Sequence, residues 1–460
     1  LVVVEGVPRL GWVMESPENG TQQSAYEIDI REALTGRSVW NSGKVNSSQS
    51  QLVSIEGADI RSGNLLNYIW RVRVWDESGS PSQWSSDAKF RSVPDCFSSR
   101  KWIGAITRQD AHLPEGRKFH GGELKKPEVK AAWEAVDTLA KKSIYLRKTF
   151  ELGDIKGGSA GRKTSKRIVE ATAYVCGLGF YEFSLNGKKV GDSEFAPLWS
   201  DYDKSVYYNT YDVTELLQNG ENAVGVLLGN GFYNVQGGRY RKLQISFGPP
   251  TLLFELVVNY EDGTHTVIHS DNGWKYDLSP ITFNCIYGGE DYDARGEQKG
   301  WNQVGFDDSD WRPVVVQEAP KGILRPQMAR PVKIMERHNI QKVTKLNDEQ
   351  VALSSKSTKR VVAPSALVLD MGQNLAGFPE ITVRGKRGQK VTLIVAEALT
   401  EEGACNQRQT GRQHYYEYTL KGEGDETWHP RFSYYGFRYI QVEGAVLKGQ
   451  KNPHQLPVLK

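Results

Sequence analysis

Apolar and polar side chains alternate through Tyr68-Ile69-Trp70-Arg71-Val72-Arg73-Val74-Trp75, and this stretch decides how the first part of the chain folds. Successive side chains of an extended strand point to opposite faces, so every second residue from Tyr68 to Val74 shares one face. Residues 24–31 alternate in the same manner. Both stretches are therefore predicted to be half-buried β-strands.

Turn residues separate this strand from the next one. Asp76-Glu77-Ser78-Gly79 forms a turn signal, Pro81 and Trp84 follow, and a closing strand is expected near Phe90. Residues 1–95 thus resemble a fibronectin type III or immunoglobulin-like sandwich, a kind of domain that commonly acts as a spacer.

The remainder of the chain continues this β-rich pattern. The dipeptides Asn186-Gly187 and Asp262-Gly263 favour tight hairpins, and alternate residues from Phe254 to Tyr260 form another apolar face. Further strands are predicted at 391–395 and 437–442, and the best helix candidate is 128–136, which follows a proline. The fold class is therefore predicted to be all-β, with consecutive sandwiches or jelly rolls.

Changes in composition and residue pattern along the sequence suggest where the domains begin and end. After the first sandwich we expect a linking region with strand, loop and helix at 96–167. Two further β-domains then occupy 168–318 and 319–445, and a short tail occupies 446–460.

Composition narrows the class of partner. The 58 lysine and arginine residues against 55 acidic residues give a net charge of +3, which creates no strong field for nucleic acid or an anionic membrane. No run of 18 apolar residues is present, so no membrane span is predicted. The four cysteines Cys96, Cys176, Cys285 and Cys405 show no metal-binding spacing and are expected to be free thiols or at most incidental bridges. A neutral ligand is the expected partner.

An acidic and aromatic stretch stands out chemically. Gly289-Glu290-Asp291-Tyr292-Asp293-Ala294-Arg295 is followed by Trp301 and by Phe306-Asp307-Asp308-Ser309-Asp310-Trp311. Carboxylates accept hydrogen bonds from sugar hydroxyls or bind calcium, and aromatic rings offer flat faces to sugar C–H groups. The alternative interpretation is a turn-rich edge between strands with tryptophans as core anchors.

A series of motifs points to one family. The series comprises Leu185-Asn186-Gly187, Val190-Gly191-Asp192, Asp201-Tyr202, Tyr211-Asp212-Val213-Thr214, Gly229-Asn230-Gly231-Phe232-Tyr233, Tyr292-Asp293-Ala294-Arg295 and Gly300-Trp301. It resembles the N-terminal module of bacterial α-L-rhamnosidases, glycoside hydrolase family 78. A later block contains Asp370-Met371-Gly372-Gln373-Asn374, Ala396-Glu397 and Pro430-Arg431-Phe432, and it is similar to the β-sandwich that precedes the catalytic barrel of this family.

The resemblance implies an enzyme that removes terminal α-L-rhamnose with inversion, using two carboxylates in an (α/α)6 barrel. This chain contains no counterpart of that barrel, so the chemistry is expected beyond residue 460 in a longer protein. The candidate pairs Glu290 with Asp293 and Glu397 with Glu401 are expected to cap turns or to face solvent rather than to catalyse. The family also implies a periplasmic or secreted bacterial location.

The block from about 146 to 318 is similar to family 67 carbohydrate-binding modules, which hold L-rhamnose with the help of calcium. The resemblance therefore implies an L-rhamnose-containing glycan as partner, Ca²⁺ as a candidate cofactor and no organic cofactor. The candidate sugar- and calcium-binding residues are Asp192, Asp201, Tyr202, Asn230, Tyr233, Glu290, Asp291 and Asp293. Asn230 and Asp192 have turn formation as an equal alternative.

Several arginine, tryptophan and histidine residues also have more than one possible role. Arg239 and Arg241 could grip an acidic sugar, although a surface strand is the favoured role. Trp199 and Trp274 could stack on a sugar, but core packing is favoured. His265, His269, His414 and His429 lack partners at ligand spacing and are assigned to no metal.

Three functional hypotheses follow. The first is the N-terminal, sugar-binding and scaffolding part of an α-L-rhamnosidase. The second is a non-catalytic rhamnose-binding lectin or adhesion protein. The third is hydrolysis by the sandwiches themselves, through Glu290 and Asp293.

Overall fold

A computed structural model describes most of the chain. It covers residues 2–4, 8–33, 35–60, 67–92, 97, 101–114, 118–120, 122–155, 164–239, 243–347, 349–350, 365–410 and 413–460. The predicted thiol Cys96 and the candidate Arg241 lie outside these residues. Cys176, Cys285 and Cys405 are buried free thiols. No helix in the described ranges is long and apolar enough to cross a membrane.

The described residues of the first sandwich form eight strands. They are β1 Val2–Val4, β2 Arg9–Leu10, β3 Gln23–Glu32, β4 Ser38–Asn41, β5 Val45–Asn46, β6 Val53–Ser54, β7 Asn67–Asp76 and β8 Ala88–Ser92. One sheet has the order β1-β8-β7-β3-β4, with β5 also paired to β3, while β2 pairs with β6.

Alternation in β7 produces the predicted buried face. Tyr68 and Val72 lie in the core, and Trp70 and Val74 pack against it. On the opposite face the arginines of β7 pair with the acids of β3: Arg71 Nε lies 3.1 Å from Asp29 Oδ2, and Arg73 Nη2 lies 2.6 Å from Glu27 Oε2. The amphipathic pattern therefore specifies which face of this sheet meets the core, as predicted.

Between the first and second sandwiches lie short elements. They are β9 Trp102–Gly104, β10 Lys118–His120, the 3-10 helix Glu123–Lys125, α1 Pro127–Glu134 and the 3-10 helix Thr138–Lys141. The predicted helix is confirmed, with Pro127 at its first position, where a missing N–H costs no hydrogen bond. Trp133 packs its buried side chain against Ala111 and Val136.

The second sandwich is built from two larger sheets and small additions. Its strands are β11 Ile144–Leu152, β12 Asp154–Ile155, β13 Thr164–Ser165, β14 Ile168–Leu178, β15 Tyr181–Leu185, β16 Lys188–Lys189, β17 Ser205–Asp212, β18 Gly220–Leu228, β19 Asn234–Val235, β20 Leu243–Ser246, β21 Thr251–Tyr260, β22 His265–His269 and β23 Lys275–Leu278, with a 3-10 helix at Thr214–Leu216. It is completed after a gap in sequence by β26 Arg312–Pro313, β27 Val315–Gln317 and β28 Ile323–Pro326.

The two larger sheets have the orders β16-β15-β18-β11-β23-β26 and β27-β9-β21-β14-β17-β28, with β22 on β21. Phe254, Leu256, Val258 and Tyr260 face the core between them, as predicted. Both predicted hairpins are also present. Asn186 and Gly187 have φ angles of 50° and 81°, the left-handed conformations that a tight two-residue hairpin turn requires.

The third sandwich collects strands from two parts of the sequence. They are β24 Ile281–Cys285, β25 Gly289–Asp293, β29 Lys342–Lys345, β30 Ala366–Gly377, β31 Ile381–Arg384, β32 Lys390–Ala396, β33 Ala398–Leu399, β34 Cys405–Asn406, β35 Tyr415–Thr419, β36 Asp425–Trp428, β37 Tyr435–Glu443, β38 Val446–Leu447 and β39 Val458–Leu459. The larger sheet runs β24-β25-β35-β32-β37-β30-β29, and a smaller one runs β36-β31-β39-β38.

Strand pairing crosses the predicted domain boundaries. The hairpin β24–β25 falls within the predicted segment 168–318, yet β25 pairs in parallel with β35 of the third sandwich, Glu290 opposite Tyr416. Strands β9 and β11 precede residue 168 but belong to the second sandwich. Residues 446–460, predicted to be a tail, contribute β38 and β39 to the third. Strands that are consecutive in sequence therefore do not always belong to the same sandwich.

Aromatic packing joins the second and third sandwiches. Phe432, which precedes β37, is fully buried in a cluster with Tyr145, Phe180 and Trp311. A Cβ atom at Gly229 would lie only 2.3 Å from the Phe432 ring, so a glycine is needed where the ring meets the backbone after β18. The two sandwiches thus share an apolar core along this joint.

Glu290 holds the loop that carries Phe432 into this joint. Its carboxylate is fully buried and accepts hydrogen bonds from the backbone N–H groups of Arg431 (2.9 Å) and Phe432 (3.0 Å). Asn284 Nδ2, on the other strand of the hairpin, donates a third bond at 3.2 Å. Burial raises the pKa of Glu290 to about 7, although these donors favour the charged form.

Replacing Glu290 by glutamine is predicted to remove one pH dependence of stability. A native pKa of about 7, against 4.5 for the exposed group, means that the native state keeps its proton longer than the unfolded state. The contribution of Glu290 to the free energy of unfolding therefore falls as pH rises from 4.5 to 7, by about 3 kcal/mol. Urea unfolding at several pH values measures it.

In Glu290→Gln the free energy of unfolding should fall by about 3 kcal/mol less between pH 4.5 and 7 than in the parent protein. The variant should nevertheless be less stable overall. Glu221→Gln, at an exposed position, is the control and should keep the parent slope. Equal slopes in Glu290→Gln and the parent protein would contradict this assignment.

Candidate functional site

A cleft of about 740 Å³ opens between the second and third sandwiches. Three segments border it: the strands β11, β15 and β18 with their turns, the stretch 280–302, and turns of the third sandwich. The polar and aromatic side chains that line it are Tyr145, Glu182, Phe183, Ser184, Lys189, Tyr292, Arg295, Glu297, Gln298, Lys299, Trp301, Asn302, Arg387, Lys421, Glu423 and Arg431. Its size suits an oligosaccharide of a few rings.

Stacked aromatic rings form one wall. Tyr145 and Trp301 lie 4.1 Å apart between ring centroids at an interplanar angle of 23°, and Trp311 stacks on Tyr145 at 6.2 Å. A Cβ at Gly225 would lie 2.7 Å from the Trp301 ring, so the glycine in β18 makes room for it. The wall is therefore rigid and apolar.

Arg147 holds this wall in place from below. The buried guanidinium donates through Nε to the carbonyl of Trp301 and through Nη2 to that of Gln303, both at 2.8 Å. It also pairs with Asp308 at 2.5 Å. Arg147 thus explains why Trp301 and the acidic run at 307–310 occur together: Asp308 anchors the loop that carries the tryptophan.

Charged groups from both sandwiches meet at Glu182. Its side chain is 20% exposed, and Oε1 lies 3.4 Å from Lys189 Nζ and 3.5 Å from Arg431 Nη1. Lys189 also lies 3.0 Å from Glu194 Oε1, and Arg431 contacts His429 Nε2 at 3.1 Å. Burial and the nearby Arg431 lower the pKa of His429, which favours the neutral ring.

A second polar group lies nearer the third sandwich. Lys421 Nζ is 2.5 Å from Glu297 Oε2, and the Tyr292 hydroxyl donates to Glu297 Oε1 at 3.0 Å. Burial raises the pKa values of Tyr145 and Tyr292, so both remain neutral phenols. The cleft thus combines fixed carboxylates, cations and phenol groups around an aromatic wall.

The predicted acidic run lies beside the cleft, but its carboxylates are engaged elsewhere. Glu290 accepts the backbone hydrogen bonds of the joint described above. Asp291 pairs with Arg239, whose guanidinium is held between the rings of Tyr415 (3.6 Å) and Phe283 (4.3 Å). Burial raises the pKa of Asp291, opposed by the arginine. Arg239 therefore forms an ion pair inside the protein and is not available to bind an acidic sugar.

Asp293 has a local role. It accepts from the backbone N–H of Arg295 at 3.1 Å, which caps the 3-10 helix Ala294–Gly296, and it pairs with the same guanidinium at 2.8 and 2.6 Å. The hydrogen bonds from Arg295 lower the pKa of Asp293. Of the run 290–293, Tyr292 alone lines the cleft.

Asn230 and Asp192 differ in burial and in hydrogen-bonding partners. Asn230 is fully buried; its Nδ2 donates to the carbonyls of Lys141 (2.9 Å) and Asn284 (3.1 Å), and its Oδ1 accepts from Asn234 at 2.8 Å. These bonds leave it a structural role. Asp192 is 72% exposed in its side chain and pairs with Lys333 at 2.7 Å, which lowers its pKa.

The remaining three candidates adjoin a smaller pocket of about 110 Å³ in the second sandwich, which Tyr202 and Tyr233 line. Their rings meet edge to face at 5.1 Å, and the Tyr233 hydroxyl donates to the Phe247 carbonyl at 3.1 Å. Asp201 is half-exposed and lies 3.0 Å from Lys204 Nζ. The eight candidates therefore form no single site.

No group of three histidine, cysteine, aspartate or glutamate side chains within the described ranges could hold a metal ion. The carboxylates named for calcium each have a protein partner instead. The residues present do not fit a calcium site, and calcium stays a prediction without a ligand set.

The two tryptophans considered for stacking differ. Trp274 is fully buried, as favoured from the sequence, whereas Trp199 is 62% exposed and packs only partly on Phe232, at 5.4 Å between centroids. Core packing was thus the wrong expectation for Trp199. The sequence interpretation also missed Glu182, Lys189 and Lys421, since no motif or spacing marks them.

Three family models match successive parts of the chain. They are the Rha78A-like N-terminal immunoglobulin domain at residues 1–93, the alpha-L-rhamnosidase N-terminal domain at 166–336, and the bacterial alpha-L-rhamnosidase concanavalin-like domain at 360–458. The cleft lies between the regions matched by the second and third of these.

Curated relatives match almost all of the chain. An alpha-L-rhamnosidase of Formosa agariphila is 34% identical over 459 residues, which is 96% of this chain and 44% of the relative. One of Alteromonas sp. is 31% identical, with coverages of 96% and 43%. The chain thus spans less than half the length of these two relatives.

Solved structures agree in fold. An alpha-L-rhamnosidase from Dictyoglumus thermophilum superposes with a TM-score of 0.73 at 30% identity, covering 99% of this chain and 47% of that one. The Streptomyces avermitilis enzyme, solved with L-rhamnose, gives 0.71 at 25% identity, covering 100% and 56%. The chain therefore belongs to the α-L-rhamnosidase family, of which it carries the immunoglobulin-like, N-terminal and concanavalin-like domains.

Proposed function

We propose that this chain is the N-terminal, glycan-binding and scaffolding part of an α-L-rhamnosidase that removes terminal α-L-rhamnose with inversion. The observation that carries the proposal is the cleft between two domains of this family, in which Glu182 and Arg431 from different domains meet beside Trp301. A surface shared by two domains can both bind a glycan and keep the domains in register.

The chemistry of the cleft suits a sugar. Hydroxyl groups donate to carboxylates such as Glu182 and accept from amides and phenols, while ring C–H groups pack on aromatic faces. Because most charged groups in the cleft are already paired, a neutral ligand can enter without leaving an isolated buried charge. The Streptomyces avermitilis relative was solved with L-rhamnose, which supports the same class of ligand here.

Scaffolding follows from the joint below the cleft. The buried contacts of Phe432 with Tyr145 and Phe180, and the hydrogen bonds from Asn230 to Asn284 of β24, link the second sandwich to the third. A further domain of a longer protein would therefore meet a rigid pair of sandwiches. In this proposal the two catalytic carboxylates belong to that further domain, and a periplasmic or secreted location stays a prediction.

Three of the four carboxylates named from the sequence as catalytic candidates are engaged within the protein, which argues against catalysis by the sandwiches. An inverting glycosidase needs two carboxyl groups about 6.5–9.5 Å apart across the substrate, one of them protonated. Glu290 faces backbone N–H groups inside the joint, and Asp293 is bound to Arg295. Glu397 is also engaged, since it accepts from Asn374 Nδ2 at 3.0 Å.

Binding of a rhamnose oligosaccharide should depend on Glu182. Isothermal titration of residues 1–460 with an α-L-rhamnose oligosaccharide should show binding that Glu182→Gln weakens roughly tenfold, because a charged acceptor contributes about 1.5–3 kcal/mol to a hydrogen bond. Glu221→Gln, which is exposed and outside the cleft, should bind as the parent does. A parallel titration with a chelator tests the calcium prediction. Unchanged affinity in Glu182→Gln would remove the cleft from the proposal.

Residues 1–460 alone should not hydrolyse p-nitrophenyl α-L-rhamnoside. The reason is that neither Glu290 nor Asp293 is free to act as acid or base. Release of nitrophenol, followed by absorbance, tests this expectation. Hydrolysis that disappears in Glu290→Gln or Asp293→Asn would contradict it and would return the chemistry to the sandwiches.

A further inference from the structure

The lining of the cleft is richer in cations than in carboxylates. Three carboxylates line it, at positions 182, 297 and 423, whereas six side chains carry a positive charge. These six are Lys189, Arg295, Lys299, Arg387, Lys421 and Arg431. The excess contrasts with the whole chain, whose charges nearly balance at +3.

Most of the cations are already neutralised by partners. Lys189 and Arg431 share Glu182, and Lys421 pairs with Glu297. Arg295 pairs with an aspartate just outside the cleft. These pairs are geometrically fixed and leave little free charge for a ligand.

Lys299 and Arg387 are different. Both are exposed, and neither forms an ion pair with any residue that the structure describes. The Arg387 guanidinium makes one long hydrogen bond, 3.4 Å, to the carbonyl of Lys421. Glu423, the remaining carboxylate of the lining, forms no ion pair within the described ranges and acts on Lys421 only through its charge. Against Lys299 and Arg387 it leaves one excess positive charge in the lining.

The two free cations come from opposite sides of the cleft. Lys299 follows the 3-10 helix Ala294–Gly296, and Arg387 lies in the turn between β31 and β32. The two segments approach each other, because a Cβ at Gly388 would lie 3.6 Å from Arg295 Nη1. Both Lys299 and Arg387 line the cleft, so an anionic group bound in it would face cations from both sides.

We propose that the cleft takes a glycan bearing anionic groups, carboxylate or sulfate, and that Lys299 and Arg387 bind the anionic substituent while the aromatic wall and Glu182 bind sugar rings. The inference rests on the proposed function, because it names the class of glycan for the same cleft. Guanidinium and ammonium groups suit both carboxylate and sulfate oxygens. Since the pair is exposed, the attraction should be modest and screened by salt.

The test compares three ligands by isothermal titration with residues 1–460. These are an oligosaccharide of alternating rhamnose and uronic acid, its carboxyl-reduced neutral form, and an O-sulfated rhamnose oligosaccharide. At low salt the uronic acid form should bind several-fold more tightly than its neutral form, and 0.5 M NaCl should abolish the difference. Comparison of the first and third ligands decides whether carboxylate or sulfate is preferred.

Single substitutions test whether Lys299 and Arg387 cause the preference for the anionic ligand. Lys299→Gln and Arg387→Gln should each weaken binding of the anionic ligand roughly two- to five-fold and leave the neutral ligand unaffected. Lys448→Gln, an exposed lysine outside the cleft, is the matched control. Thermal midpoints should not change, because none of the three side chains is buried.

Two outcomes separate this inference from the proposed function. Equal binding of the anionic and neutral ligands, or equal losses for both in the variants, would overturn the inference while glycan binding itself stands. Binding of no ligand at all would overturn both.

Discussion

A hairpin that belongs to one domain by sequence and to another by hydrogen bonding is the constraint on which this structure depends. Strands β24 and β25 follow the second sandwich directly in the chain, yet β25 pairs with β35 in the sheet of the third. Glu290, the second residue of β25, accepts hydrogen bonds from two backbone N–H groups of the loop before β37. The hairpin ties the two sandwiches together, because Asn284 of β24 accepts hydrogen bonds from the backbone N–H (3.2 Å) and Nδ2 (3.1 Å) of Asn230 in the second sandwich. Separating the second sandwich from the third would break these buried bonds and expose the cluster around Phe432.

The cleft is a consequence of this joint. The loop that Glu290 binds also carries Arg431, so the joint delivers a guanidinium to Glu182 on the other sandwich. On the opposite wall, Arg147 fixes the loop of Trp301 from inside the second sandwich. Because backbone hydrogen bonds and buried ions place these side chains, the cleft is preformed, and a glycan would bind with little cost in ordering the protein.

Local patterns in the sequence predict much of the fold. Alternation specified the buried face of β7, Asn186-Gly187 specified a hairpin through two left-handed residues, and Pro127 began a helix. Each of these features depends on neighbours within a few residues, which a sequence displays directly. The order of motifs similarly sufficed to identify the family, which the matched domains confirm.

The site could not be read in the same way, because its partners are distant in sequence. Glu182 and Arg431 are 249 residues apart, and no periodicity connects them. The acidic run 290–293 has the right chemistry for a sugar, but long-range partners decide its role: Phe432 and its loop engage Glu290, and Arg239 engages Asp291. The side-chain amide of Asn230 likewise donates to buried carbonyls of Lys141 and Asn284, which only folding brings close to it.

The glycan is proposed to bind between the second and third sandwiches. A crystal structure of residues 1–460 with a saturating rhamnose oligosaccharide tests it most directly. We expect sugar rings between Glu182 and Arg431, with one ring beside Trp301. An empty cleft, with sugar bound at the exposed Trp199 or in the pocket of Tyr202 and Tyr233 instead, would contradict it.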